Sequence, residues 1–250
     1  MDLAKVTNWL DNEFAFFKGE DYSFNGLQFE GKKDVRRVAF AVDACIPAFE
    51  KASKGKADLL LVHHGLFWSN RLPTAITGLW AKRLKYLSAC DLSLYAAHLP
   101  LDSHPKYGNN IELAKILGLH NPQPFAEYHG SLIALRGDLA RSSSLDDLSK
   151  AVAKALSIET RVFDYGKTSG IKKVGVCTGG GGFAALDGGI DCLVTGEVKQ
   201  GNVVDFRDAG VSVIEAGHYA TEALGVKALS KAMQKELGLD VFFVDAPTGV

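Results

Sequence analysis

The chain has 250 residues, a formal net charge of −1, a charged fraction of 23% and a hydrophobic fraction of 47%. That length suits one large or two small α/β domains, and the balanced charge argues against a nucleic-acid arm or a membrane-surface patch. The longest apolar runs are strand-sized, which excludes a spanning helix, and Met1-Asp2-Leu3-Ala4-Lys5-Val6 lacks the basic-then-apolar layout of a secretory signal. Cys45, Cys90, Cys177 and Cys192 lie in or beside apolar segments without CxxC spacing. They read as reduced, buried thiols of a cytoplasmic protein.

In chain order, Leu3, Val6, Leu10, Phe14 and Phe17 recur at helical spacing. A polar loop with the turn signal Asn25-Gly26 follows. Strands are expected at Val38–Val42, Leu59–Val62 and Leu92–Ala97, with helices near Pro47–Ala52 and Thr77–Ser88. Asn109 and Asn110 read as caps for a helix from Ile111 to Leu117, which Gly118 ends. The stretch from Phe125 to Gly170 differs. It carries a strand at Ser131–Arg136, a helix capped near Ser144 and running to Leu156, and a short strand at Arg161–Phe163. Alternation then resumes with strands at Lys173–Cys177, Cys192–Thr195 and Val211–Ile214. A helix spans Thr221–Leu237 and a last strand Val241–Val244. Strands alternating with helices predict an α/β fold with parallel or mixed sheets covered by helices.

An internal repeat is visible. Arg37–Ala41 compares with Lys173–Cys177, and Ala57–Val62 with Ile190–Thr195. The strand ending at His98 compares with the one leading to His218. This divides the chain into a first domain at 1–125 and a second at 126–250, the C-terminal helix and strand being free to pack back on the first. Ligands bind beyond the carboxyl ends of strands in such sheets.

Those strand ends carry the chemistry. Leu59-Leu60-Leu61-Val62 runs into His63-His64-Gly65, and two other apolar runs end in a histidine with an acid four residues later: His98 with Asp102, and His218 with Glu222. Successive strand residues face opposite ways, so His63 and His64 serve one site only where the chain turns, which Gly65 eases. His218 and Glu222 share one face of a helix at i and i+4. Pro100 disfavours helix at Leu99, so His98 and Asp102 are expected on a turn. Four imidazoles and two carboxylates without thiolate suit two divalent ions (Zn, Fe, Mn, Co or Ni). Such a pair would retain two positive charges beside these ligands, enough to activate water and draw in a small anion.

Other residues admit two readings. Cys177-Thr178-Gly179-Gly180-Gly181-Gly182 follows a strand and suits either a phosphate cradle or a close-packed turn; it lacks the lysine of a P-loop. Glu197 is a candidate catalytic base, an acceptor for a ligand histidine, or a structural acid. Asn25 and Gln28 are placed to line the site, and His104 to reach substrate. His120 reads as a helix-end capping residue. His129 has no partner visible in the sequence.

Taken together, Asn25-Gly26-Leu27-Gln28, Val62-His63-His64-Gly65, His98-Leu99-Pro100-Leu101-Asp102, Thr195-Gly196-Glu197 and Ala216-Gly217-His218-Tyr219-Ala220-Thr221-Glu222 occur in an order that resembles the GTP cyclohydrolase 1 type 2 homolog family, the Nif-three-like dinuclear-metal proteins. The resemblance implies two related α/β domains with mixed sheets and a metal site between them. It implies His63, His64, His98, Asp102, His218 and Glu222 as ligands of two ions, and a toroidal homohexamer. None of the six positions departs from the family pattern, and no motif matches between Phe125 and Gly170. The function so implied is a metal-dependent hydrolase acting on a nucleotide or other small anion through activated water. The alternative is a metal-binding, ring-shaped scaffold or regulatory protein without turnover.

Overall fold

The computed structural model describes residues 1–250. They form two compact α/β units, Met1–Leu101 with Val226–Ala246, and Asp102–Gly225 with Pro247–Val250. No helix is long and apolar enough to cross a membrane.

The first unit opens with α1 (Leu3–Phe14), capped by the Asp2 side chain on Ala4 N–H, with Leu3, Val6, Leu10 and Phe14 buried. The helix stops before Phe17, and Phe16 is exposed. Then come β1 (Gly26–Phe29), β2 (Arg37–Asp43), α2 (Ile46–Lys54), β3 (Leu59–His64), α3 (Gly78–Cys90), β4 (Ser93–Ala96) and the one-turn α4 (Leu99–Asp102), which crosses into the second unit. Here the structure corrects the expectation of a non-helical turn. Pro100 sits in the first turn of α4, where no N–H is required of it.

The second unit holds α5 (Asn109–Ile116), β5 (His120–Tyr128), β6 (Ser131–Ser143), α6 (Leu145–Leu156), β7 (Arg161–Asp164), β8 (Ile171–Cys177), β9 (Cys192–Thr195), α7 (Gln200–Ala209) and β10 (Ser212–Glu215). Next, α8 (His218–Leu237) begins in this unit and ends in the first, where β11 (Asp240–Phe243) joins the sheet.

The sheet orders are β1-β4-β3-β2-β11 and β5-β6-β8-β9-β10-β7. In each sheet three consecutive strands run parallel, β2-β3-β4 and β8-β9-β10, and an earlier strand, β1 or β7, pairs antiparallel with the third. The internal repeat is thus a repeat of topology. The parallel strands are buried throughout apart from β8's outer end and a few terminal positions, as near-continuous apolar runs require.

One detail of side-chain chemistry repeats as well. Asp58, just before β3, accepts Arg36 and Arg37 N–H on Oδ2 (2.9 and 3.2 Å) and Lys32 Nζ on Oδ1 (3.0 Å). Asp191, just before β9, accepts Lys172 and Lys173 N–H on Oδ2 (2.8 and 2.9 Å) and Lys167 Nζ on Oδ1 (3.0 Å). Each carboxylate ties the start of its strand to the start of the strand beside it.

The middle stretch holds most of what the sequence reading lacked. It missed β5, whose Pro122 and Pro124 obscure a strand that lies at a sheet edge, where proline is tolerated. His120 is the first residue of β5, opposite Asp138, rather than a helix cap. His129 and Gly130 both take positive φ (50° and 80°) and form the two-residue turn into β6. β6 continues past Arg136 because Gly137 brings the backbone close to His120 O, 2.9 Å from where a Cβ would stand. Asn109 and Asn110 are not caps. Gly108 takes the cap position and both asparagines are buried inside α5.

Asp58 and Asp191 both titrate below the ordinary carboxylate range. Burial raises each, but the two backbone N–H groups and the lysine outweigh it. A depressed pKa stabilises the fold above the unfolded value near 3.9, and that contribution is lost as pH falls through the folded value. Asp58→Asn and Asp191→Asn should therefore each cost about 1–3 kcal/mol in urea unfolding at pH 7. The gap to wild type should begin to narrow below about pH 4 and close only as pH falls through the lowered folded value. A gap that does not narrow at all as the acid range is entered would mean the carboxylate charge is not what holds these strands.

Candidate metal centre

In the first unit, His63 and His64 are the last two residues of β3, His63 fully buried and His64 partly so. The chain turns one residue later, at Gly65. His98 follows β4 after Ala97, before α4. The His63, His64 and His98 rings cluster with centroids 4.7, 5.1 and 5.6 Å apart. One ligand nitrogen from each lies within 4.8 Å of the others.

Each ring is held by its other nitrogen. His63 Nδ1 is 2.9 Å from Ala97 O, His64 Nδ1 is 2.9 Å from Asp43 Oδ1, and His98 Nδ1 is 2.8 Å from Asp21 Oδ1. A carbonyl or carboxylate oxygen accepts, so the neutral rings carry their proton on Nδ1 and keep the Nε2 lone pair. Asp43 ends β2 directly opposite His64 in the parallel register. Asp21 accepts from Ser23 N–H, Leu99 N–H and Asn25 Nδ2 as well. Burial raises its pKa, but His98 and these donors bring it below the ordinary value.

Asn25 and Gln28 act around this cluster. Asn25 Oδ1 accepts His98 N–H at 2.7 Å. Gln28 Oε1 accepts Leu66 and Phe67 N–H (2.7 and 3.3 Å), while its Nε2 donates to Phe24 O. Gly65 leaves the space that the Gln28 amide fills.

In the second unit, His218 and Glu222 occupy the first turns of α8, with Nε2 and Oε2 3.1 Å apart. Two ligands of one tetrahedral ion stand about 3.3 Å apart when each bond is near 2.0 Å. His218 Nδ1 meets Glu197 Oε2 at 2.7 Å. Of the roles open to Glu197, the geometry favours acceptor for the histidine. Asp102 is buried, and its Oδ1 accepts Asn109 Nδ2 at 2.8 Å and Thr178 Oγ1 at 3.3 Å.

Glu222 is also buried, and it rests over Gly179, whose φ is +60° and whose absent Cβ would run into Glu222 Oε1. Thr178 and Gly179 follow β8, so that strand end supports both carboxylates. Cys177 beside them stays a neutral thiol, pushed up by burial and by the charges of Asp102 and Glu222. Two carboxylates buried at one strand end favour a cation that joins them. His63, His64 and His98 could together hold a metal ion.

The asparagines of α5 were missed as site residues. Asn109 donates to Asp102 and accepts Gly225 N–H in α8 at 2.7 Å. A Cβ at Gly225 would stand 2.7 Å from Asn109 Oδ1. Asn110 donates to Asp102 O and Ile133 O and accepts Thr178 N–H. No short motif marks such pairs. His104 accepts Lys106 and Tyr107 N–H on Nδ1 and stacks on Tyr107, a local turn-stabilising role.

The fold and these residues define a two-unit, mixed α/β protein with clustered His, Asp and Glu groups that could hold a metal ion. A family model described as Duf34/NIF3 (NGG1p interacting factor 3) matches residues 1–248, and the chain belongs to that family. A Pyrococcus abyssi protein named "GTP cyclohydrolase 1 type 2 homolog" is 42% identical over 253 residues, with all of both chains covered. A Deinococcus radiodurans protein of the same name is 40% identical, covering 98% of this chain and 94% of its own. Among solved structures, Thermus thermophilus TTHA1606 superposes with a TM-score of 0.90 at 36% identity over all of both chains.

Replacing the acceptors tests whether they aim the imidazoles. Asp43→Ala, Asp21→Ala and Glu197→Ala should each weaken Zn²⁺ binding about 10- to 100-fold, measured by competition with a chromophoric chelator. The far-ultraviolet circular dichroism should stay that of wild type. Unchanged affinity in all three would show that the rings need no such support.

Proposed function

We propose that His63, His64, His98, Asp102, His218 and Glu222 hold two divalent cations and that the protein is a metal-dependent hydrolase of a nucleotide or another small anion. Every imidazole of the set has its Nδ1 on an acceptor, and that is the observation carrying the proposal. Such an arrangement commits four Nε2 atoms to ligation and supplies the carbonyl or carboxylate partners that ligating histidines ordinarily have. Oxygen and nitrogen donors without thiolate suit Zn, Fe, Mn, Co or Ni.

Bound there, divalent ions supply Lewis-acid polarisation and lower the pKa of water. The protein's own part is to fix the donors. Six protein ligands for two ions leave coordination positions for substrate, as a catalytic rather than a structural site requires. Glu197, Asp21 and Asp43 keep the rings oriented, and Asn109 with Thr178 keeps the Asp102 carboxylate in place. The name shared by the relatives suggests a purine nucleotide as one substrate to test. The reading extends to a cytoplasmic homo-oligomer, a toroidal hexamer in which the sites face a common cavity.

Metal analysis by mass spectrometry of the purified chain should find two ions per chain. His64→Ala and Glu222→Ala should each lose metal and any hydrolysis of GTP, phosphoesters or cyclic amides, while the fold survives by circular dichroism. Full metal content in both variants would remove these residues from the ligand set.

A further inference from the structure

Beside the three-imidazole cluster lies a feature that ligation does not use. Trp68 is in extended backbone, with φ −133° and ψ 132°. Phe67 before it packs on Trp80 with the core of the first unit. Trp68 instead sets its ring edge-on to His98, with centroids 4.9 Å apart, and 6.0 Å from that of His64.

The indole is fixed. Its Nε1 donates to Gly65 O at 2.8 Å, Ser23 and Trp68 form a β-bridge, and Ser69 N–H donates to Tyr22 O at 2.7 Å. A 3₁₀ turn at Ser69–Arg71 follows. Residues three apart eclipse in such a turn, and Arg71 accordingly returns over Trp68, its Cζ 4.7 Å from the ring centroid. Arg71 is exposed and makes no ion pair. A guanidinium that is pre-oriented on an indole, itself in contact with a candidate ligand histidine, and not neutralised by any carboxylate is suited to take an oxyanion in two parallel hydrogen bonds.

We propose that Trp68 and Arg71 form an anion subsite beside the histidine cluster. The substrate would be a phosphorylated small molecule whose reacting atom lies at the cluster while a second, non-reacting phosphate group lies on Arg71. This rests on the preceding reading of the cluster as a metal site and adds to it which end of the substrate the protein grips and with what. It also explains why a loop that contributes no ligand is clasped so tightly by Gln28.

Pyrophosphate is the probe, because it carries two linked phosphoryl groups, and acetate is the control, because it carries a single carboxylate. Both are titrated into the full chain by calorimetry, with and without Zn²⁺, and metal content is measured on the same samples. Arg71→Gln should keep its metal and its acetate affinity but bind pyrophosphate about 10-fold or more weaker, as loss of a hydrogen bond to a charged group requires. Arg71→Lys should fall between. Pyrophosphate should change the indole fluorescence of wild type but not that of Trp68→Leu. Equal pyrophosphate affinity in wild type and Arg71→Gln, or no binding by wild type, overturns the subsite. Absence of metal in wild type overturns the ligation reading instead.

Discussion

An imidazole presents one nitrogen to a metal reliably only when its other nitrogen is already taken. Four histidine rings of this molecule are held by Nδ1 in that way. Four histidines from strand ends and a helix start each spend Nδ1 on an oxygen of the same unit: Ala97 O, Asp43, Asp21 and Glu197. Those acceptors dictate much of the local structure. Asp43 must stand level with His64 in the β2–β3 register. Asp21 must be held by Asn25, Ser23 and Leu99. Ala97 must leave its carbonyl facing the end of the neighbouring strand.

The repeat explains how strand ends come to hold such groups twice. Each unit has three parallel strands in the same spatial order with an antiparallel neighbour on the third. Each also uses an aspartate before its second strand to gather two backbone N–H groups and a lysine. Shared topology together with a shared, sequence-distant hydrogen-bond device is harder to reach by chance than topology alone. The units then diverge where chemistry differs. The middle parallel strand of the first unit ends in His63 and His64, whereas that of the second leads through Gly196 to Glu197, a carboxylate that meets a histidine ring instead of supplying one.

The sequence made legible those parts governed by periodicity and by strand ends. β2, β3, β4 and β9 are short apolar runs with turn residues at their margins, and their boundaries fall within a residue or two of the observed ones. The histidines were visible because they terminate those runs. The supporting residues were not, because no spacing rule connects Asp21 to His98 across 77 residues or Asn109 to Gly225 across 116. Nor could propensity find β5, where two prolines sit in an edge strand, or see that Asn109 and Asn110 lie inside a helix with their amides turned to buried partners. In both places tertiary pairing overrode the local preference.

The glycine run after β8 has packing roles that its sequence alone does not reveal. Glycines beyond a parallel strand suggest a phosphate cradle, whose backbone N–H groups must stay open to the ligand. Here the N–H of Gly179 is taken by Thr221 Oγ1 at 3.1 Å, and that of Thr178 by Asn110 Oδ1 at 2.8 Å. Gly181 and Gly182 open a 3₁₀ helix, Gly181–Asp187, rather than an α-helix. The missing side chains have other uses. Gly179 makes room for Glu222, Gly181 for Cys177, and Gly182 for Asn202. Three of its four glycines are thus set against a buried carboxylate, a thiol and a neighbouring helix.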